Sequence, residues 1–207
     1  MNEGSTLDLF VPENILGKAS LYERQYKAGT TALAIDSFKQ ASSRLLDPYH
    51  WYETAGEKGS VFSLIKENAE GAPSTIEPGD FIKADLPGAG PKNGGGYDWL
   101  RTIKLLSAYD KNSDDSLALL LQPSYNPFHG PTTETAHFLK KEASIAFTIK
   151  RKDKIVTACF YGRNQLPNLH VKKISDRIRN TFAYFFTMAG IPLPHWSLLI
   201  KGLLKNK

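Results

Sequence analysis

The residues of this chain whose types could do chemistry are five histidines, one cysteine, a glycine-rich run and a scatter of acids and tyrosines. Their spacing decides how much each can do. His50, His129, His137, His170 and His195 form no H-x-x-x-H pair, the arrangement a helix offers to zinc. His129, Glu134 and His137 are close in sequence and could converge on a metal only through loop geometry. Cys159 falls within a strand pattern, where a thiol either packs as a small hydrophobe or serves as a nucleophile. No G-x-S-x-G elbow is present. The run Pro87-Gly88-Ala89-Gly90-Pro91-Lys92-Asn93-Gly94-Gly95-Gly96 is neither G-x-G-x-x-G nor closed by Gly-Lys-Ser/Thr, and no helix pattern follows it. It reads as an inter-strand loop. For acid–base chemistry the available set is His137 or Asp98 as base, Tyr125 or Tyr161 as acid, and Arg163 to pair a carboxylate or acidic headgroup. The other reading of Arg163 is a sheet-end salt bridge. No metal or cofactor is expected.

The elements that must position these residues follow from hydrophobic period. Residues 1–29 lack a clean period and read as an arm packed on a single domain of residues 30–207, with one strand near Leu21–Lys27. Thr30 or Thr31 caps a helix to about Leu46, its stripe being Ile35, Phe38, Ser42 and Leu45. Asp47-Pro48 stops it, because the residue before proline avoids the helical region. From residue 60 the period becomes 2, with strands over 61–66, 80–86, 100–109 and 116–122. Ala143–Lys150 and Ile155–Tyr161 make a hairpin across Arg151–Lys154, with Ile145, Phe147 and Ile149 on one face. The long irregular stretch from Pro123 to Thr135 has the length of a functional lid. The period then returns to 3.6. Ile174, Ile178, Phe182, Phe185 and Ala189 mark a long helix, and a last helix opens at Pro194.

Composition sets the outer limits. The 207 residues are 41% hydrophobic and 23% charged, as a globular chain is, and there is no second cysteine for a disulfide. No run of about 18 apolar residues exists to span a membrane, and the first residues lack a signal-peptide pattern, so a cytoplasmic location is expected. The net charge of +5 is spread out, and basic residues do not interleave with exposed aromatics on any one strand. Nucleic acid is therefore not an expected partner. The 11% aromatic content serves either core or cavity walls.

The order helix, about six antiparallel strands, long helix, with the corner Leu45-Leu46-Asp47-Pro48-Tyr49-His50-Trp51, resembles the START-like helix-grip superfamily. The likeness spans Leu21 to Gly190, and the helix after Gly190 departs from the pattern. It implies an α+β fold, a curved antiparallel sheet closed by a C-terminal helix, with a calycin-like β-barrel as the alternative. It also implies a hydrophobic cavity that holds a lipid-like, apolar or amphipathic molecule. The candidate ligand-binding residues are Trp51, Tyr97, Trp99, Tyr125, His137, Tyr161 and Arg163. Two other functions stay open. One is an enzyme acting on a small hydrophobic substrate in the same cavity. The other is a membrane-surface or partner-binding protein using helix 194–207, whose stripe Trp196, Leu199, Ile200, Leu203 and Leu204 is flanked by lysines.

Overall fold

The computed structural model describes residues 10–57, 59–66, 75–86, 90–108, 114–132, 134–168 and 194–205. Its centre is a seven-stranded antiparallel sheet: β1 (Lys18–Lys27), β2 (Val61–Ile65), β3 (Phe81–Asp85), β4 (Asp98–Ala108), β5 (Asp114–Pro123), β6 (Ser144–Lys152) and β7 (Ile155–Gln165). Their spatial order is β1-β7-β6-β5-β4-β3-β2. The edge strands β1 and β2 lie at opposite ends of this order, so the sheet is open. The barrel alternative is thereby corrected. The described order, β1, two helices, β2 to β7 and a C-terminal helix, gives the expected α+β antiparallel sheet with helices packed on it. The expected long helix over 174–189 lies outside the described residues.

Helix α1 (Thr31–Leu45) starts where Thr30 accepts the Leu33 N–H at 3.2 Å, a side-chain N-cap that satisfies one orphan amide. It buries Ala34, Ser37, Phe38, Ala41, Ser42 and Leu45, the face turned to β6 and β7. Ile35 is only half-buried, one position off the stripe. After the Asp47-Pro48 stop, the short helix α2 (Trp51–Thr54) drives Trp51 fully into the core, its indole N–H donating to Leu45 O at 3.1 Å. Helix α3 (Pro194–Leu203) packs against α1, α2, β1 and β7.

Strand alternation sorts the sheet into two faces. On the concave face Phe62, Leu64, Ile82, Ala84, Leu100, Leu117, Leu119, Ile145, Phe147, Ile149 and Phe160 join α1 and α3 in one core. The apolar face of α3 is spent there: Trp196, Leu199, Ile200 and Leu203 are buried, so this helix has no apolar stripe left for a membrane. That corrects the membrane-surface reading of helix 194–207. Gly202 makes the fit close, since a Cβ there would stand 1.7 Å from Thr54 O. Arg44 finishes the contact by donating to the carbonyls of Leu203 (2.9 Å) and Lys205 (2.8 Å) at the helix end.

The convex face is thinner. Phe10 lies on Ala118, Leu120 and Ala146, with Lys104 over its ring. The expected four-residue turn is shorter than read: Lys152 pairs Ile155, leaving Asp153-Lys154, with Asp153 at φ +52°. Arg151 is in the strand and not in the turn, and it is buried against Asp115 at 2.6 Å.

Candidate functional site

One end of the concave face holds the buried polar groups that could meet a ligand. The register places Phe62, Ala84 and Asp98 in one row across β2, β3 and β4, and Leu64, Ile82 and Leu100 in the next. Above the first row stands the N-terminus of α3. His195 packs edge-on to Phe62 (centroids 6.1 Å apart) and Trp196 (4.3 Å). Trp196 in turn contacts Trp51, Phe62, Phe147 and Phe160 at 5.3–6.2 Å. The segment before β2 reaches His195 through Gly59, at φ +103°, where an added Cβ would stand 3.2 Å from the His195 Cβ.

Two polar atoms on these touching segments, His195 Nε2 and Ser60 Oγ, are buried without a hydrogen-bond partner. Thr102 Oγ1, two positions beyond Leu100 on the same face, is a third. Buried polar groups are nearly always satisfied, and each unmet one costs about 1–3 kcal/mol. Burial pushes the His195 imidazole from 6.5 down to about 3, so the ring is neutral across the physiological range. Its place in the first turn of α3 disfavours the cation further. A neutral imidazole walled by aromatic rings offers a hydrogen bond and no charge.

Asp98 and His137 both hold the backbone of residues 138–139. Asp98 Oδ1 accepts the Phe138 N–H at 2.8 Å, and His137 Nδ1 accepts the Leu139 N–H at 3.0 Å. A backbone amide only donates, so the ring proton of His137 sits on Nε2. His137 stacks on Phe138, which belongs to the concave core.

The seven sequence candidates divide over the two faces. Trp51 belongs to the aromatic wall beside Trp196. His137 adjoins the concave core through Phe138. Tyr97, Trp99 and Tyr125 gather with Phe81 and Ala136 in a small convex-face cluster. Lys83 lies over the Tyr97 ring at 4.6 Å, and the Trp99 indole donates to Gly94 O at 2.9 Å. The irregular stretch after β5 is pinned on this cluster, by Ser124 N–H to Trp99 O (2.9 Å) and Trp99 N–H to Ala136 O (2.8 Å). Tyr161 and Arg163 are on the convex side of β7, Arg163 over the Tyr161 ring and donating to Ser20 O at 3.3 Å. The acid–base set of Asp98, Tyr125, His137 and Arg163 is thus split by the sheet: Tyr125 and Arg163 stand on one side, Asp98 and His137 on the other.

The other chemical candidates are quiet. Burial pushes the Cys159 thiol up to about 11 and the Tyr161 phenol up to about 12, so both stay protonated at neutral pH. Cys159 donates to Glu23 Oε2 at 3.5 Å. Among the described residues no three His, Cys, Asp or Glu side chains come together, so His129, Glu134 and His137 do not form a metal set. An open cleft of about 640 Å³ runs along α1 between Tyr26, Leu33, Asp36, Ser37, Gln40, Ser43 and Arg44. Its polar groups are largely engaged, Gln40 with Asp36 at 2.7 Å and Arg44 with the α3 carbonyls. Among the described residues no helix is long and apolar enough to cross a membrane.

His195, Ser60 and Thr102 are the residues that sequence reasoning left unassigned. His195 had a readable signal: it opens a helix whose next residue, Trp196, begins an apolar stripe. Ser60 and Thr102 had none, since an unpartnered hydroxyl is visible only in three dimensions.

No family model and no curated protein matches the sequence. Solved structures share part of its backbone arrangement. The major latex-like protein 151 from Panax ginseng is 13% identical, over 85% of this chain and all of that one, with a TM-score of 0.34. Protein Ms6760 from Mycobacterium smegmatis is 12% identical over 90% of this chain and 88% of that one, at a TM-score of 0.41. Norcoclaurine synthase from Thalictrum flavum is 11% identical over 91% and 87%, at 0.38. The likeness lies in the arrangement of the backbone.

Proposed function

We propose that this protein binds an amphipathic small molecule on the concave face of its sheet. The molecule's uncharged polar end meets His195 and Ser60, and its apolar body lies along Leu64, Ile82 and Leu100. The observation that carries this reading is the pair of buried, unpartnered polar atoms, His195 Nε2 and Ser60 Oγ, the first of them on a ring packed against Phe62 and Trp196. A hydroxyl or carbonyl would satisfy them. A carboxylate would bring an unpaired charge into the wall, because the imidazole is held neutral. The ligand is therefore of the long-chain alcohol, sterol or ester kind and not a free fatty acid. Of the seven sequence candidates, Trp51 and His137 stand on this face.

The test has two parts. Organic extraction of the purified protein, compared with a mock purification by mass spectrometry, should yield a stoichiometric neutral amphiphile. Titration with a long-chain alcohol should change the emission of Trp51 and Trp196, and His195→Leu should weaken that binding about tenfold, the worth of one buried hydrogen bond. An empty extract together with an unresponsive emission overturns the proposal. Equal affinity in His195→Leu overturns the role of His195.

A further inference from the structure

Asn14 and Asn164 clasp the loop that leads into β1. Asn164 Oδ1 accepts the N–H groups of both Ile15 (2.7 Å) and Leu16 (2.9 Å), and its Nδ2 donates to Glu13 O at 3.0 Å. Asn14 Oδ1 accepts the Asn164 N–H at 2.8 Å, and its Nδ2 donates to Gly17 O at 3.3 Å. Gly17, at φ +61°, closes the turn against Gln165 O, where a Cβ would stand at 2.5 Å. The two side chains at the tip nevertheless point outward: Ile15 is 80% exposed and Leu16 51%. Leu21, 53% exposed, follows along the same edge opposite Tyr161. Among the described residues the other exposed large hydrophobics stand singly in the sequence, whereas these two are adjacent and held by a fixed backbone.

We propose that residues 13–18 form a membrane-contact tip that inserts Ile15 and Leu16 into the surface of an anionic bilayer. Entry of backbone into the apolar edge of a bilayer is costly unless its amides and carbonyls are already satisfied. Here two asparagine side chains satisfy the N–H groups of both inserting residues and the carbonyls on either side of them. A protein partner could supply those bonds itself and would not need them made in advance. The rim adds the charge. Lys18 is the next residue but one, and Lys140 and Lys141 follow through the bond from Lys140 N–H to Leu166 O at 2.9 Å, beside Gln165. Arg163 precedes Asn164. Against these four cations the same segments carry two acids, Glu13 and Glu142, so the rim is net positive and suited to anionic headgroups. The proposal uses none of the concave-face residues and stands whether or not a ligand binds there.

The full chain is floated with vesicles of phosphatidylcholine containing one-third phosphatidylserine, and with phosphatidylcholine alone. The wild type should float with the anionic vesicles and less with the neutral ones. The double variant Ile15→Ser/Leu16→Ser should keep the wild-type melting temperature and lose about tenfold or more in vesicle partitioning. Ile15→Trp, made at a position that is already exposed, should shift its emission to the blue on adding anionic vesicles. Flotation of the double variant equal to wild type, no flotation of the wild type, or an unchanged emission each overturns the proposal. So does a concentration-dependent dimer that the double variant loses while neither form floats, which would give the tip to a second copy of the chain.

Discussion

On β6 the side chains of Ile145, Phe147 and Ile149 leave the backbone on one side and those of Ala146 and Thr148 on the other, and the two sets meet different surroundings. The first set faces α1 and α3 and shares a core with Trp51, Phe160 and Trp196. Among the described residues the second meets Ala118, Leu120 and two rings, Tyr161 of β7 and Phe10 from the segment before β1. Both faces are buried at this strand, yet the areas and shapes differ: aromatic and branched side chains interlock on the concave side, and small ones lie under a thin cover on the convex side. The concave face therefore carries the stability of the domain. Away from that core, at the end of β7, a segment is held by hydrogen bonds and still keeps apolar side chains exposed, as Asn164 holds Ile15 and Leu16.

The largest break in this comparison comes from removing the ring that joins α3 to the sheet. Trp196 touches Trp51, Phe62, Phe147 and Phe160 in a close-packed core. Trp196→Ala should cost about 3–5 kcal/mol in chemical denaturation. Phe10→Ala on the other face should cost clearly less, because that ring rests on Ala118, Leu120 and Ala146 and is not locked among four other rings. Equal losses would mean that the two faces share the stability evenly.

Acid sharpens the same contrast. The folded-state value of His195 is depressed by burial, from 6.5 to about 3. Its contribution is fully present above pH 6.5. As pH falls below that, the unfolded chain takes up a proton that the native ring refuses, and stability drains away down to about pH 3. The whole loss is of the order of 5 kcal/mol. His195→Leu should flatten the fall of melting temperature between pH 6.5 and pH 4, whereas substitutions on the convex face should leave the slope alone. An identical slope in His195→Leu would mean that the ring is solvated in the native protein.

Much of this architecture was legible in the sequence because it rests on local chemistry. Thr30, the α1 stripe, the Asp47-Pro48 stop and the alternation of 145–149 each declare themselves within a few residues. The α+β class and the order of elements followed from them. The β1 strand was harder to read, since an edge strand exposed on one side, with Glu23, Arg24 and Lys27 in it, has little hydrophobic period. The site was legible only in part. Aromatic residues and strand ends pointed to Tyr97, Trp99, Tyr125, Tyr161 and Arg163, but a one-residue difference in parity sends a side chain through to the opposite face. The parity of Asp98 against Trp99 separates the concave row from the convex cluster in this way. The partners of Asn164 are 148 to 151 residues away, a separation no local pattern encodes.

The smallest of the expected effects concerns that clasp. Asn164 sits at φ +52°, a left-handed conformation that asparagine tolerates and alanine does not. Asn164→Ala would mix backbone strain with loss of the clasp, so Asn164→Gly is the cleaner change: it keeps the conformation and removes only the side chain. The bonds it deletes are solvent-exposed, and the global stability should fall by about 1 kcal/mol or less. The local effect should be far larger. With Asn164 Oδ1 gone, the amides of Ile15 and Leu16 lose their acceptor, and hydrogen exchange there should speed up about tenfold or more while the amides of β6 and β7 keep their protection. If the proposal for the tip is right, the loosened loop should also bind anionic vesicles less well with Ile15 and Leu16 both still present, because their freed amides must then be desolvated on insertion. Unchanged exchange at Ile15 and Leu16 would show that something other than the clasp orders the loop and satisfies its backbone groups.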